Sequence, residues 1–149
     1  MIYFNNKRVA TVLFLLSLIG IAISIYSVAH FFGITSGSIC NINEVLNCDL
    51  VNKSVYAKIG GIPVSIVGLI GYLFLAIASY LKWKEKEIDR GLTQFLLTAI
   101  VIGFFFSLYL TGVEAFILKA FCPTCLISQV TTLLMTIFIV MLYVRERHL

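Results

Sequence analysis

Four stretches of the chain carry no charged side chain, Val9–Val28, Ile62–Leu81, Leu92–Val113 and Cys125–Val144. Each is about 20 residues long, the length a helix needs to cross a hydrocarbon core of about 30 Å. In that core a segment must satisfy its own backbone N–H and C=O groups, so a lone apolar run of this length crosses as a helix. Composition allows no water-soluble alternative. Of 149 residues, 60% are hydrophobic and 12% charged, and a soluble domain of this size could not bury so much apolar surface. Soluble enzymes and disordered tails are excluded. So are nucleic-acid binders, because the net charge of +4 is small and scattered. The expected fold is all-α and integral to the membrane: a four-transmembrane-helix bundle with an extracytoplasmic cysteine-bearing loop, residues 1–149 forming a single membrane domain.

An even number of spans puts both termini on one side. Lys7, Arg8, Lys82, Lys84, Lys86, Arg90, Arg145 and Arg147 fall on that side, and only Lys53, Lys58 and Lys119 on the other. By the positive-inside rule the termini are cytoplasmic, in a plasma (inner) membrane protein. The mixed charges of Lys82–Arg90 read as a solvated turn that fixes this topology. Lys7-Arg8, the first apolar run and Ser27-Val28-Ala29 resemble a signal peptide, but the run exceeds the roughly 7–15 residues of a signal h-region. The first span is therefore kept. Gly103, Ser107 and Thr111 recur every four residues, Ser65, Gly68 and Gly71 make a similar small-residue face at the outer end of the second span, and both sets predict close helix approach.

Four cysteines carry the chemistry: Cys40, Cys48, Cys122 and Cys125. On this topology all four lie at or beyond the outer membrane boundary, and an even count gathered on one face fits an oxidising compartment. Cys122-Pro123-Thr124-Cys125 opens the fourth span. Proline favours the first helical position, which makes Cys122 the N-cap and Cys125 a first-turn residue. Such a pair shares a helix face, within disulfide reach, and the positive helix end favours a thiolate. Cys40 and Cys48 lie in the long outer segment 29–61, where Gly33, Gly37, Asn41, Asn43, Asn47 and Asn52 suit a compact mobile cap. Two dithiol pairs on one side suggest an electron relay by thiol–disulfide exchange. A purely structural disulfide and a four-cysteine zinc site are the competing readings, the second weakened by the wide Cys40–Cys48 gap and the lack of a grouped His or acidic ligand. No His, Asp or Glu falls in the spans, and His30 and His148 lie outside them on opposite sides, so haem and metal centres have little support. A quinone of the ubiquinone or menaquinone type, which reaches an apolar slot through the bilayer, is the natural acceptor.

Longer motifs carry a family resemblance over nearly the whole chain. They are Cys40-x7-Cys48-Asp49, Ser54-Val55-Tyr56-Ala57 followed by Gly61-Ile62-Pro63-Val64-Ser65 and Gly68, and Tyr109-Leu110-Thr111 through Glu114 and Phe116 to Cys122-x2-Cys125. In these the chain resembles the stand-alone prokaryotic members of the vitamin K epoxide reductase family, four-helix quinone-linked thiol oxidases. The resemblance implies that Cys122 and Cys125 are the active-site pair, with Cys125 facing the quinone. It implies that Cys40 and Cys48 are a shuttle pair oxidising a separate extracytoplasmic thioredoxin-fold protein, with Cys48 joining transiently to Cys122. Ser54 matches a Ser/Thr position near the quinone head-group, its alternative being a local turn hydrogen bond. Gln129 stands where animal relatives carry a tyrosine that contacts vitamin K, so epoxide reduction is not implied. It shares the Cys125 helix face and could touch a quinone or bond to another helix. Tyr109 and Phe116 are further candidates for the quinone slot, while Phe104, Phe105 and Phe106 read as lipid-facing or packing residues. Glu114 reads as an interfacial residue pairing with Lys119 or Lys58, with proton handling as its alternative. Disulfide-bond-formation protein B, another quinone-linked family, is disfavoured because its C-x-x-C lies in the first outer loop.

Overall fold

The computed structural model describes residues 2–36 and 40–148, with side chains from Asn6 onward. Four long helices dominate: α1 (Ile2–Phe31), α3 (Val64–Lys84), α4 (Arg90–Val113) and α5 (Pro123–Arg147). A short α2 (Cys48–Asn52) and a two-residue hairpin, β1 (Lys58–Ile59) and β2 (Ile62–Pro63), lie between α1 and α3. All four long helices are long and apolar enough to cross a membrane. Their outer faces carry residues such as Leu15, Ile77 and Phe105, each more than half exposed, as lipid-facing positions should be when nothing polar solvates them.

Local sequence sets where each helix starts and stops. Asp89 caps α4, its side chain accepting from the N–H groups of Gly91 (2.8 Å) and Leu92 (3.3 Å). Lys82 and Lys84 close α3, and Arg145 and Arg147 close α5, where cations meet the negative end of the helix dipole. Gly60 and Gly61 take positive φ, 57° and 86°, in the β1–β2 turn, a backbone region open to glycine without a Cβ penalty. The helices outrun the apolar stretches. α1 continues to Phe31, so His30, expected outside the span, lies in its last turn. Ile62, expected to open the second span, sits in β2 instead, and the helix begins at Val64.

Packing is uneven around the bundle. α1 lies mainly on α3, and α4 mainly on α5, while α3 and α4 touch far less. The core of Leu13, Leu96, Ile100, Met135, Ile139 and Leu142 is fully buried. Gly20 lets α3 approach α1, since a Cβ there would overlap the Tyr72 ring. The small-residue faces of α3 and α4 behave differently from expectation. Ser65, Gly68, Gly71, Gly103, Ser107 and Thr111 line an open cavity, and a Cβ at Gly71 or Gly103 would meet nothing within 4 Å. At those two positions the small residues leave space, whereas a Cβ at Gly68 would sit 3.5 Å from Ser24 Oγ of α1, an ordinary packing distance.

At the basic end, four helices converge on a buried polar cluster. Lys82 Nζ lies 3.1 Å from Glu146 Oε1 and 2.6 Å from Glu85 Oε2, and it donates to the Asp89 carbonyl. Glu146 also accepts from Asn6 Nδ2 (3.3 Å) and Thr93 Oγ1 (2.6 Å). The cysteines occupy the opposite end.

Candidate active site

Backbone pairing brings the two cysteine-bearing segments together. Asn43 Oδ1 accepts from the N–H groups of Val45 (3.0 Å) and Leu46 (2.8 Å), closing a turn. The strand leaving that turn then meets the segment before α5. Phe121 N–H donates to the Val45 carbonyl (2.6 Å), and Asn47 N–H donates to the Phe121 carbonyl (3.0 Å). One residue further along each strand stand Cys48 and Cys122. Asn47 caps α2 through its side chain, accepting from Leu50 N–H at 3.2 Å, and Pro123 sits in the first turn of α5 with Cys122 as N-cap.

The sulfur geometry follows. Cys40 and Cys48 form a disulfide, with Cα atoms 5.5 Å apart. Cys122 and Cys125 are free thiols. Cys122 Sγ lies 3.0 Å from Cys48 Sγ, and the sulfurs of Cys40, Cys48 and Cys122 all fall within 4.8 Å of one another. All three are almost fully buried. The Thr124 hydroxyl reaches both partners, 2.9 Å from Cys122 Sγ and 3.8 Å from Cys48 Sγ. Hydrogen bonding from the Cys125 side chain, followed by that of Thr124, outweighs burial and lowers the Cys122 thiol to about 7. A thiol poised near neutrality, in contact with a disulfide sulfur, is set for exchange.

Polar side chains pin the disulfide loop. Asn41 Nδ2 donates to Asp49 Oδ2 at 2.7 Å, and Asp49 N–H donates to Asn41 Oδ1 at 3.3 Å. These bonds cross-link the residues next to Cys40 and Cys48. Hydrogen bonding from Asn41 holds the Asp49 carboxyl below its ordinary range, against some desolvation and with help from Lys53. His30, buried at the end of α1, lies 3.4 Å from Asp49 through Nε2 and 3.3 Å from Asn52 through Nδ1. The asparagines therefore serve as caps and turn closers. Gly37 lies outside the described residues.

Beneath the sulfurs is a cavity of about 560 Å³, bounded by α1, α3, α4 and α5, within the usual size of a ligand pocket. Its wall is largely apolar, with Cys125, Thr124, Ser54, Glu114, Ser128 and Tyr72 among its polar members. Tyr72 Oη bonds to Ser128 Oγ at 2.8 Å. Ser54 lies on this wall, and its hydroxyl donates to the Val51 carbonyl at 2.7 Å, the local bond that was its alternative role. Gln129 accepts from Ser107 Oγ across the α4–α5 interface and is not on the cavity wall. Neither are Tyr109 and Phe116, whose side chains are 60% and 83% exposed. Outward placement follows from helix phase, since the cavity face of α4 is the one with Gly103, Ser107 and Thr111.

Glu114 departs most from expectation. It is 3% exposed, and its Oε2 accepts from Cys122 N–H at 3.0 Å instead of pairing with Lys119 or Lys58. Directly after α4 the chain takes a π-helical turn, Glu114–Leu118, ended by Lys119 in the left-handed region at φ 51°. That turn faces the carboxyl inward.

Sequence comparison decides the affiliation: the model of the vitamin K epoxide reductase family matches residues 11–140. The chain belongs to the vitamin K epoxide reductase family. No curated protein matches it in a sequence comparison. The vitamin K epoxide reductase match takes in all four cysteines, the cavity and most of each long helix. It places the chain among membrane redox proteins that work through cysteines.

Proposed function

We propose that this protein is a quinone-dependent thiol:disulfide oxidoreductase that makes disulfides in a separate extracytoplasmic thioredoxin-fold partner. The observation that carries this reading is the 3.0 Å contact between Cys122 Sγ and a sulfur of the Cys40–Cys48 disulfide, directly above an apolar cavity walled by Cys125. Electrons enter when a partner thiolate attacks the Cys40–Cys48 disulfide and leaves both loop cysteines reduced. Cys48 then attacks the Cys122–Cys125 disulfide at Cys122, and Cys40 resolves the mixed Cys48–Cys122 bond. Re-formed loop disulfide and free Cys122 and Cys125 are the products, the arrangement described above. The cavity's size and mostly apolar wall suit a quinone ring, held by Ser54, Thr124 and the apolar side chains of α3 and α4. When bound, the quinone supplies an acceptor for two electrons and two protons. Gln129, Tyr109 and Phe116 remain candidates only for contact with the quinone's tail, since they lie off the wall. Both termini and the basic end lie in the cytoplasm of a plasma (inner) membrane, and the cysteines on the far side.

The test is turnover of a reduced thioredoxin-fold substrate by purified protein with quinone. Cys125→Ala should abolish it, and undiminished turnover would sink the relay. Cys40→Ser or Cys125→Ser should trap a Cys48–Cys122 disulfide, seen by mass mapping after alkylation. The three-sulfur cluster favours one competing reading, a non-catalytic protein in which reduced Cys40, Cys48 and Cys122 hold zinc. One tightly held zinc per chain in elemental analysis would establish it.

A further inference from the structure

Glu114 is a buried carboxyl with no cationic partner among the described residues. Burying an unpaired acid at membrane depth is costly, and such residues are retained where they act. Three facts locate the action. Glu114 Oε2 holds the Cys122 backbone N–H. The carboxyl lies near enough to the Cys125 thiol for each to influence the other's ionisation. It also faces the same cavity as Cys125. The π-helical turn that begins at Glu114 is the kind of local irregularity that aims a side chain at a site.

We propose that Glu114 is the proton carrier of the membrane-embedded half-reaction: its carboxylate takes the S–H proton of Cys125 and delivers it to the cavity. The inference rests on the quinone reading above. In the balanced step, the S–H bonds of Cys122 and Cys125 break and one S–S bond forms between them. Two electrons and two protons leave the dithiol, and a quinone taking both becomes a hydroquinone with two new O–H bonds. Glu114 relays the Cys125 proton to one ring oxygen. Once it has released that proton, the same carboxyl, held beside Cys122 by the Cys122 N–H, takes the S–H proton of Cys122 and passes it to the other ring oxygen. Among the described residues, the titratable groups that interact with Glu114 are the thiols of Cys122 and Cys125.

Glu114→Gln is the informative variant, because its amide oxygen can still accept from Cys122 N–H. In single-turnover reactions of dithiothreitol-reduced protein with decylubiquinone, it should slow oxidation about 100-fold, the usual lower range for a lost general acid–base group. Reduction of the Cys40–Cys48 disulfide by dithiothreitol should stay at the wild-type rate. The pH profile distinguishes proton transfer from positioning. The wild-type rate should fall on the acid side, where the carboxyl cannot accept a proton, and the variant should lack that limb. Without any quinone, infrared difference spectra between dithiol and disulfide forms should show a carboxyl band that changes in the wild type and is absent from Glu114→Gln. Wild-type kinetics and profile in the variant, or no redox-linked carboxyl band, would overturn the proposal while leaving the quinone reading intact. Failure of the wild-type protein to oxidise with the quinone would instead remove that reading, and this proposal with it.

Discussion

The Thr124 hydroxyl, between the two residues of the Cys122–Cys125 pair, lies 2.9 Å from Cys122 Sγ. Along with the Cys125 side chain it holds the Cys122 thiol at about 7. A hydrogen bond to a charged group contributes about 1.5–3 kcal/mol, and one pKa unit corresponds to about 1.4 kcal/mol. Thr124→Val should therefore raise the Cys122 midpoint by about one unit. Since the thiolate is the reactive form and exists above the pKa, alkylation at pH 7 should slow several-fold and recover as pH rises. Measuring iodoacetamide labelling against pH in a Cys40→Ser/Cys48→Ser background checks this. An unmoved midpoint would show that Cys125 alone sets it. The hydroxyl's part was not legible from the sequence, because Thr124 reads there only as a spacer within C-x-x-C.

At the scale of elements, the sequence made the four helices plain and the site only partly so. Uncharged runs of about 20 residues have one solution in a bilayer, so α1, α3, α4 and α5 follow from Val9–Val28 and its counterparts. The Cys122 N-cap was equally legible, because Pro123 restricts where a helix can begin. By contrast, the Cys48–Cys122 contact depends on Val45 and Asn47 pairing with Phe121, a long-range register that local pattern does not encode. Glu114 was misplaced because its inward aim depends on a π-helical turn, and periodicity counted at 3.6 residues does not detect one. The void was not legible for a related reason: small residues recurring on a helix face permit close packing, as at Gly68 beside Ser24, or leave space, as at Gly71 and Gly103, and only the facing helix decides. Filling the void tests the outcome. Gly103→Leu places a side chain into open space and removes a helix-interior glycine that costs about 1 kcal/mol. The melting temperature in detergent should hold or rise, and KM for a short-chain quinone should rise at least about tenfold. Exchange at the Cys40–Cys48 disulfide should be untouched. Unchanged quinone kinetics would place the quinone elsewhere.

Across the whole molecule, redox chemistry and mechanical fastening sit at opposite ends. The cysteine end is tied by asparagine side chains and by the half-exposed Asp49 with His30 and Lys53, whereas the basic end is clamped by Lys82 and Glu146, whose side chains are each 2% exposed. The clamp collects Asn6 from α1, Lys82 from α3, Thr93 from α4 and Glu146 from α5, so it fixes how all four helices meet. Buried ion pairs respond asymmetrically to substitution: removing one partner strands the other and costs about 3–5 kcal/mol, while replacing both with apolar groups is often neutral or stabilising. Glu146→Leu alone should lower the melting temperature in detergent sharply, leaving Lys82 with Glu85 on the rim as its remaining carboxylate. Lys82→Met with Glu146→Leu should recover most of that loss, because the emptied cluster is flanked by Leu96 and Leu142 of the apolar core. Cys122 alkylation in the double variant should match the wild type, since the clamp lies at the far end of the bundle from the sulfurs. Equal losses from the single and double variants would mean that the ion pair does more than hold the helices. Altered Cys122 reactivity would mean that the two ends are coupled through the helices, and that the clamp sets the geometry in which Cys48 and Cys122 meet.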